Sequence, residues 1–170
     1  MKNLGQRLGL SKLLLDEMIH FSFALVIELV LTIIFSSPIL ILFSLLMGFL
    51  IDVDHWVDYF YYCFKQKPLA VKENWFNPIF HIKGFFTPSS YAEGNRKVIV
   101  FLHGWELIPL FWLILNFLGK RWGISGLGWT TLAYLAHLSW DQFVCAGSWR
   151  SYFLIYRILN RFSYEAYCGS

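Results

Sequence analysis

Asp52, Asp54, His55 and Asp58 fall within seven positions, in the stretch I-D-V-D-H-W-V-D, directly after a run of apolar residues. Three carboxylates and an imidazole at the end of such a run need compensating charge, and a divalent cation neutralises several carboxylates at once. His137 and Asp141 are four residues apart, so on a helix they share one face and can bind one ion. His103 and Glu106 are three apart and would share a face in the same way. His20 opens a further apolar run. Mixed imidazole and carboxylate donors suit zinc, with manganese or iron as alternatives. The expected cofactor is therefore a divalent metal, with two ions favoured over one. The first group carries a conflict: on a continuous helix Asp52 and Asp54 point about 160° apart, at about 100° per residue. Either the helix unwinds near Val53 or the two aspartates serve different sides of the site, and both options suit a dinuclear centre.

The elements that must position these groups follow from composition and patterning. The chain has 170 residues, the length of one domain. Its hydrophobic share is 57%, its charged share 15% and its mean hydropathy +0.52, a balance that belongs to membrane proteins. A net charge of +3 gives no reason to expect nucleic acid as a partner. Cys63, Cys145 and Cys168 have no C-x-x-C spacing and read as apolar fillers. The predicted fold is all-α: a polytopic helical bundle with about four membrane spans, near residues 19–35, 38–53, 98–118 and 124–146. Amphipathic helices are expected at both ends, over 1–17 and 152–162. Ser36-Ser37-Pro38 marks the first break. The long loop 65–97, with six basic residues, three prolines and many aromatics, would lie against the membrane or cap a site.

Basic residues set the expected orientation. With the N-terminus inside, the inner segments carry Lys2, Arg7 and Lys12, then the six loop cations, then Arg150, Arg157 and Arg161. The outer turns carry only Lys120 and Arg121. Twelve against two predicts a multi-pass protein of the inner (cell) membrane with both termini cytoplasmic. On that topology His20, the Asp52–His55 cluster, His103 and the His137–Asp141 pair all approach the same leaflet. The expected metal ligands are accordingly His20, Asp52, Asp54, His55, His103, His137 and Asp141. Glu28 lies deeper, Glu106 reads as a ligand or supporting carboxylate, and Asp58 as a supporting or solvated one.

The order of these pieces resembles the membrane-bound metal-dependent hydrolases of the YdjM-like (LexA-binding inner-membrane) family. The pieces are M-I-H-F ending at Phe21, I-D-V-D-H ending at His55, F-L-H-G-W-E ending at Glu106 and A-H-L-S-W-D ending at Asp141. Ile51 stands where that family usually has proline before the first aspartate. The H-x-x-x-D piece is also distantly similar to zinc-dependent phospholipase C. The resemblance implies a metal-dependent phosphoester hydrolase.

Metal ions in such a site would lower the pKa of a bound water and neutralise charge on the phosphoryl oxygens. Asp54, expected to orient or deprotonate that water, and Glu106 are the catalytic candidates. A site at headgroup depth implies a lipid or lipid-linked phosphoester as substrate, with membrane lipids as surroundings. Lys83, Arg96 and His81 are the candidates for contacting it, and Phe85 and Phe86 for guiding its tail. A non-catalytic, metal-stabilised membrane scaffold that binds a protein partner is the alternative reading.

Overall fold

The computed structural model describes residues 12–48, 50–66, 75–78, 81–82, 96–144 and 148–168. Among these the fold is all-helical, its only β feature an isolated bridge between Lys97 and Ser163. Helix α1 spans Lys12–Phe35, α2 Leu40–Gly48, α3 Val53–Gln66, α4 Leu107–Trp122, α5 Thr131–Val144, α6 Leu154–Leu159 and α7 Tyr164–Cys168. Short 3-10 turns at Leu50–Asp52, Leu127–Thr130 and Trp149–Tyr152 link them.

Helix α1 is largely apolar, and the most apolar 18-residue stretch within Leu15–Phe35 has a mean hydropathy of 2.3. It stops at Ser36, whose φ of 51° is left-handed, and the chain restarts on Pro38, whose carbonyl takes the Ile41 N–H. The expected break at Ser36-Ser37-Pro38 is therefore present. The second stretch long and apolar enough to cross a membrane is Leu40–Lys65, whose most apolar 18 residues have a mean hydropathy of 1.8. It is not one continuous α-helix, because a 3-10 turn at Leu50–Asp52 separates α2 from α3. The unwinding expected near Val53 falls at that turn.

Helices α1, α2 and α5 pack against one another, and α4 lies on α5. Gly48 is what lets them approach. A Cβ there would lie 2.8 Å from the Ala24 Cβ and 3.1 Å from the Ala133 Cβ, closer than side-chain carbons tolerate. Away from that crossing, Leu31, Leu40, Leu115 and Leu127 form one core cluster. Ile51, Tyr134, Leu138 and Tyr152 form a second.

Two expectations need correction. The third helix, expected over 98–118, begins only at Leu107, and residues 98–100 and 103–104 have no regular structure. Pro109 has no N–H to give the Trp105 carbonyl, so it sits comfortably in the first turn of α4 but would interrupt a helix begun at Val98. The C-terminal helix expected over 152–162 is instead a 3-10 turn followed by the short α6. The expected N-terminal amphipathic helix lies largely outside the described residues, as do Lys83, Phe85, Phe86 and most of the 65–97 loop.

Candidate metal centre

The ends of α1, α2 and α5 bring the helical ligands to one place. His20 sits on the buried face of α1 with Ala24, Glu28 and Leu31. His137 and Asp141 sit on α5 one turn apart, and His137 Nε2 lies 3.2 Å from Asp141 Oδ2. His20 stacks on His137 with ring centroids 3.8 Å apart, and its Nε2 is 3.0 Å from Asp141 Oδ1. The turn after α2 delivers Asp52, whose Oδ1 is 3.1 Å from His103 Nε2 and 3.4 Å from His137 Nε2. Asp54 and His55, in the first turn of α3, flank the other side of His103.

These contacts form three overlapping triads: His20, His137 and Asp141; Asp52, His103 and His137; Asp54, His55 and His103. In each, the candidate ligand atoms lie within 4.8 Å of one another. The structure thus brings together all seven residues singled out as metal ligands. Asp52 and Asp54 stand in different triads, joined through His103. Six of the seven are buried, and the His55 side chain is 26% exposed.

The donor chemistry fits a cation. His137 Nδ1 is 2.9 Å from the Gly48 carbonyl oxygen and must donate to it, which leaves Nε2 as a bare lone pair in the neutral ring. That lone pair faces His103 Nε2 at 3.4 Å as well as the two carboxylates. His103 Nδ1 faces the Asp54 carboxylate, which fixes that proton and turns the second lone pair inward. Lone pairs of this kind repel one another unless a positive charge sits between them. The triangle of Asp52 Oδ1, His103 Nε2 and His137 Nε2 has edges of 3.1, 3.4 and 3.4 Å. Tetrahedral zinc bonds of about 2.0–2.1 Å separate ligand atoms by about 3.3 Å. Three more buried atoms of these residues, Asp52 Oδ2, Asp54 Oδ1 and His20 Nδ1, have no hydrogen-bond partner. The residues present can hold a metal ion.

His103 is on an irregular segment rather than a helix, and four side chains hold that segment. Asp58 accepts the Ile99 N–H at 2.5 Å and Asp54 the Leu102 N–H at 2.6 Å. The Tyr134 hydroxyl reaches the carbonyls of Leu102 and Gly104, and Arg157 donates to those of Val100 and His103. Asp58, expected to be supporting or solvated, is buried in this role. Since 103–106 is not helical, His103 and Glu106 do not share a helix face. The Glu106 carboxylate instead accepts the N–H groups of Leu154 and Ile155, 3.1 and 3.2 Å away, at the start of α6. It belongs to none of the triads.

The proposed substrate contacts also have protein partners. His81 is buried, with Nδ1 3.1 Å from the Tyr59 hydroxyl and Nε2 2.9 Å from the Trp75 carbonyl oxygen. Arg96 is exposed and pairs with Glu165 at 3.0 Å. Glu165's own backbone N–H and the Arg96 guanidinium hold that carboxyl below its ordinary pKa. Glu28 is fully buried in α1, where the Thr32 hydroxyl donates to its Oε1 at 2.6 Å.

Two residues near the centre were missed by the sequence reading. Asp16 lies 3.9 Å from His20 Nε2 and takes the Trp140 indole N–H at 2.8 Å. Glu17, half-buried, feels the charges of Asp52, His137 and Asp141. The available signal was their spacing to His20, i, i+4 and i, i+3 on one helix.

No family model, curated protein or solved structure matches the chain at a significant level.

Proposed function

We propose that this chain is an integral-membrane, metal-dependent hydrolase that cleaves a phosphoester of a lipid or lipid-linked substrate at the inner leaflet. The observation that carries the reading is the convergence of four imidazoles and three carboxylates into three overlapping triads. Two independent features support it. The residues stand in the order that resembles the membrane-bound hydrolases. Large apolar side chains also face outward on four helices, among them Ile33, Leu42, Phe117 and Phe143. Four outward apolar faces suit four helices in lipid, although α4 and α5, at 16 and 14 residues, rise only about 24 and 21 Å. A locally thinned bilayer accommodates them.

A bound divalent ion, zinc by the donor set, would acidify a coordinated water and neutralise charge on the phosphoryl oxygens. The chain's own residues divide the remaining tasks. Gly48 orients His137 through its ring N–H, and Asp54 orients His103 in the same way. Asp54 orients His103 through its Oδ2, which also takes the Leu102 N–H, while its Oδ1 is buried without a hydrogen-bond partner. We assign proton acceptance from water to the Asp52 Oδ2, because the other oxygen of that carboxylate lies beside both His103 and His137. His55, the most exposed of the seven, marks the side from which a headgroup enters.

The burial of the other six favours one competing reading, a metal that staples a membrane scaffold without turnover. Metal analysis of the purified full chain, followed by phosphate release from a panel of lipid phosphoesters, separates them. The hydrolase reading expects bound metal that is lost in His137→Ala, and release that is lost in Asp52→Ala. Metal-free wild-type protein would sink both readings. Retained metal without release from any lipid leaves the scaffold.

A further inference from the structure

Arg157 is the largest fully buried side chain among the described residues, with 1% of its surface exposed. A guanidinium is costly to bury and usually lies against a carboxylate. Its Nη1 and Nη2 donate to two backbone carbonyls of one short segment, those of Val100 and His103. Those carbonyls belong to the irregular stretch that carries the His103 ring. The planar fork suits the task, because one rigid group fixes two acceptors at a set separation.

The rest of the C-terminal region grips the same segment. Val98 N–H donates to the Phe162 carbonyl at 2.9 Å, Trp105 N–H to the Tyr152 carbonyl at 2.9 Å, and Tyr164 N–H to the Arg96 carbonyl at 3.0 Å. Glu106 closes the far end by capping α6, the helix that bears Arg157. From the other side, Asp54 and Asp58 take the Leu102 and Ile99 N–H groups. A segment that is neither helix nor strand leaves its backbone groups to outside partners, so these partners define its path.

We propose that Arg157 is a positioning residue of the metal centre: it holds the 98–104 segment in the path that presents His103 to Asp52 and His137. The inference rests on the metal-centre reading for its consequence, though not for its geometry. It also changes the role of Arg157 from a charge that orients the chain to a structural clamp.

The test compares the full-length wild type with Arg157→Gln and Arg157→Lys in detergent, using two readouts. The first is amide hydrogen exchange of the metal-free chain. Arg157→Gln should accelerate exchange across 98–105 and leave α5 unchanged. The second is cobalt(II) affinity followed by its visible spectrum. It should weaken roughly 10- to 100-fold in Arg157→Gln, the range typical of groups that orient a ligand. Arg157→Lys, which keeps one donor, should fall between, and it carries the comparison if the glutamine variant fails to fold. Unchanged exchange across 98–105 overturns the proposal, as does acceleration spread evenly over all helices. Wild-type protein that binds no cobalt refutes the metal centre, and the exchange pattern still decides the role of Arg157.

Discussion

The seven converging residues are not equivalent. His137 and His103 each belong to two triads, whereas His20 and His55 belong to one. Removing a shared ring leaves two groups of donors incomplete. Alanine at His137 or His103 is therefore expected to remove more metal per chain than alanine at His55, as measured by elemental analysis of the purified variants. Equal losses at all three would mean that the triads do not share ligands. At this scale the sequence was most informative where ligands lie on regular helices. The i, i+4 spacing of His137 and Asp141 gave their shared face directly. The angular conflict between Asp52 and Asp54 located a real break. Glu106 was misjudged because its spacing to His103 has meaning only on a helix, and no helix is there.

At the scale of elements, Gly48 does two things at one position. Its missing side chain lets α1, α2 and α5 meet, and its carbonyl fixes the His137 tautomer. Gly48→Val should therefore cost about 1–3 kcal/mol through overpacking and weaken metal binding in parallel. A thermal melt and a metal titration on the same preparation check this, with exposed Leu113→Ala as a control expected to change neither. A valine that lowers the melting temperature while leaving metal affinity intact would separate the packing from the ligand geometry. The helices themselves were largely legible, since apolar runs and the Ser-Ser-Pro break specify them locally. The path of 98–106 was not. Its backbone partners, Asp54, Asp58, Tyr134 and Arg157, lie 30 to 57 residues away in the chain, so no window around His103 contains them.

For the whole molecule, the strongest constraint is the pairing of a polar interior at one end with apolar surfaces around it. Two helical stretches are long and apolar enough to cross a membrane. A four-span arrangement with both termini inside remains the proposed one, carried by the twelve-to-two asymmetry of basic residues. Burying Arg157 removes one charge from that count and leaves the vote unchanged. Reporter fusions at the C-terminus and in the turn at 123–126 should place these points on opposite sides of the membrane, the C-terminus inside. Both on one side would rule out the four-span topology.

The clamp on His103 also has a meaning in time. A chain made from its N-terminus completes α1, the Asp52 turn, α3 and α5 before the region that bears Arg157 exists. The ligands on helices can then be assembled while the segment carrying His103 still lacks the side chain that fixes its backbone. The region that follows α5 completes the centre. A nascent chain therefore passes through a stage at which the pocket has most of its donors and no finished wall, and a metal ion arriving then meets the least resistance to entry.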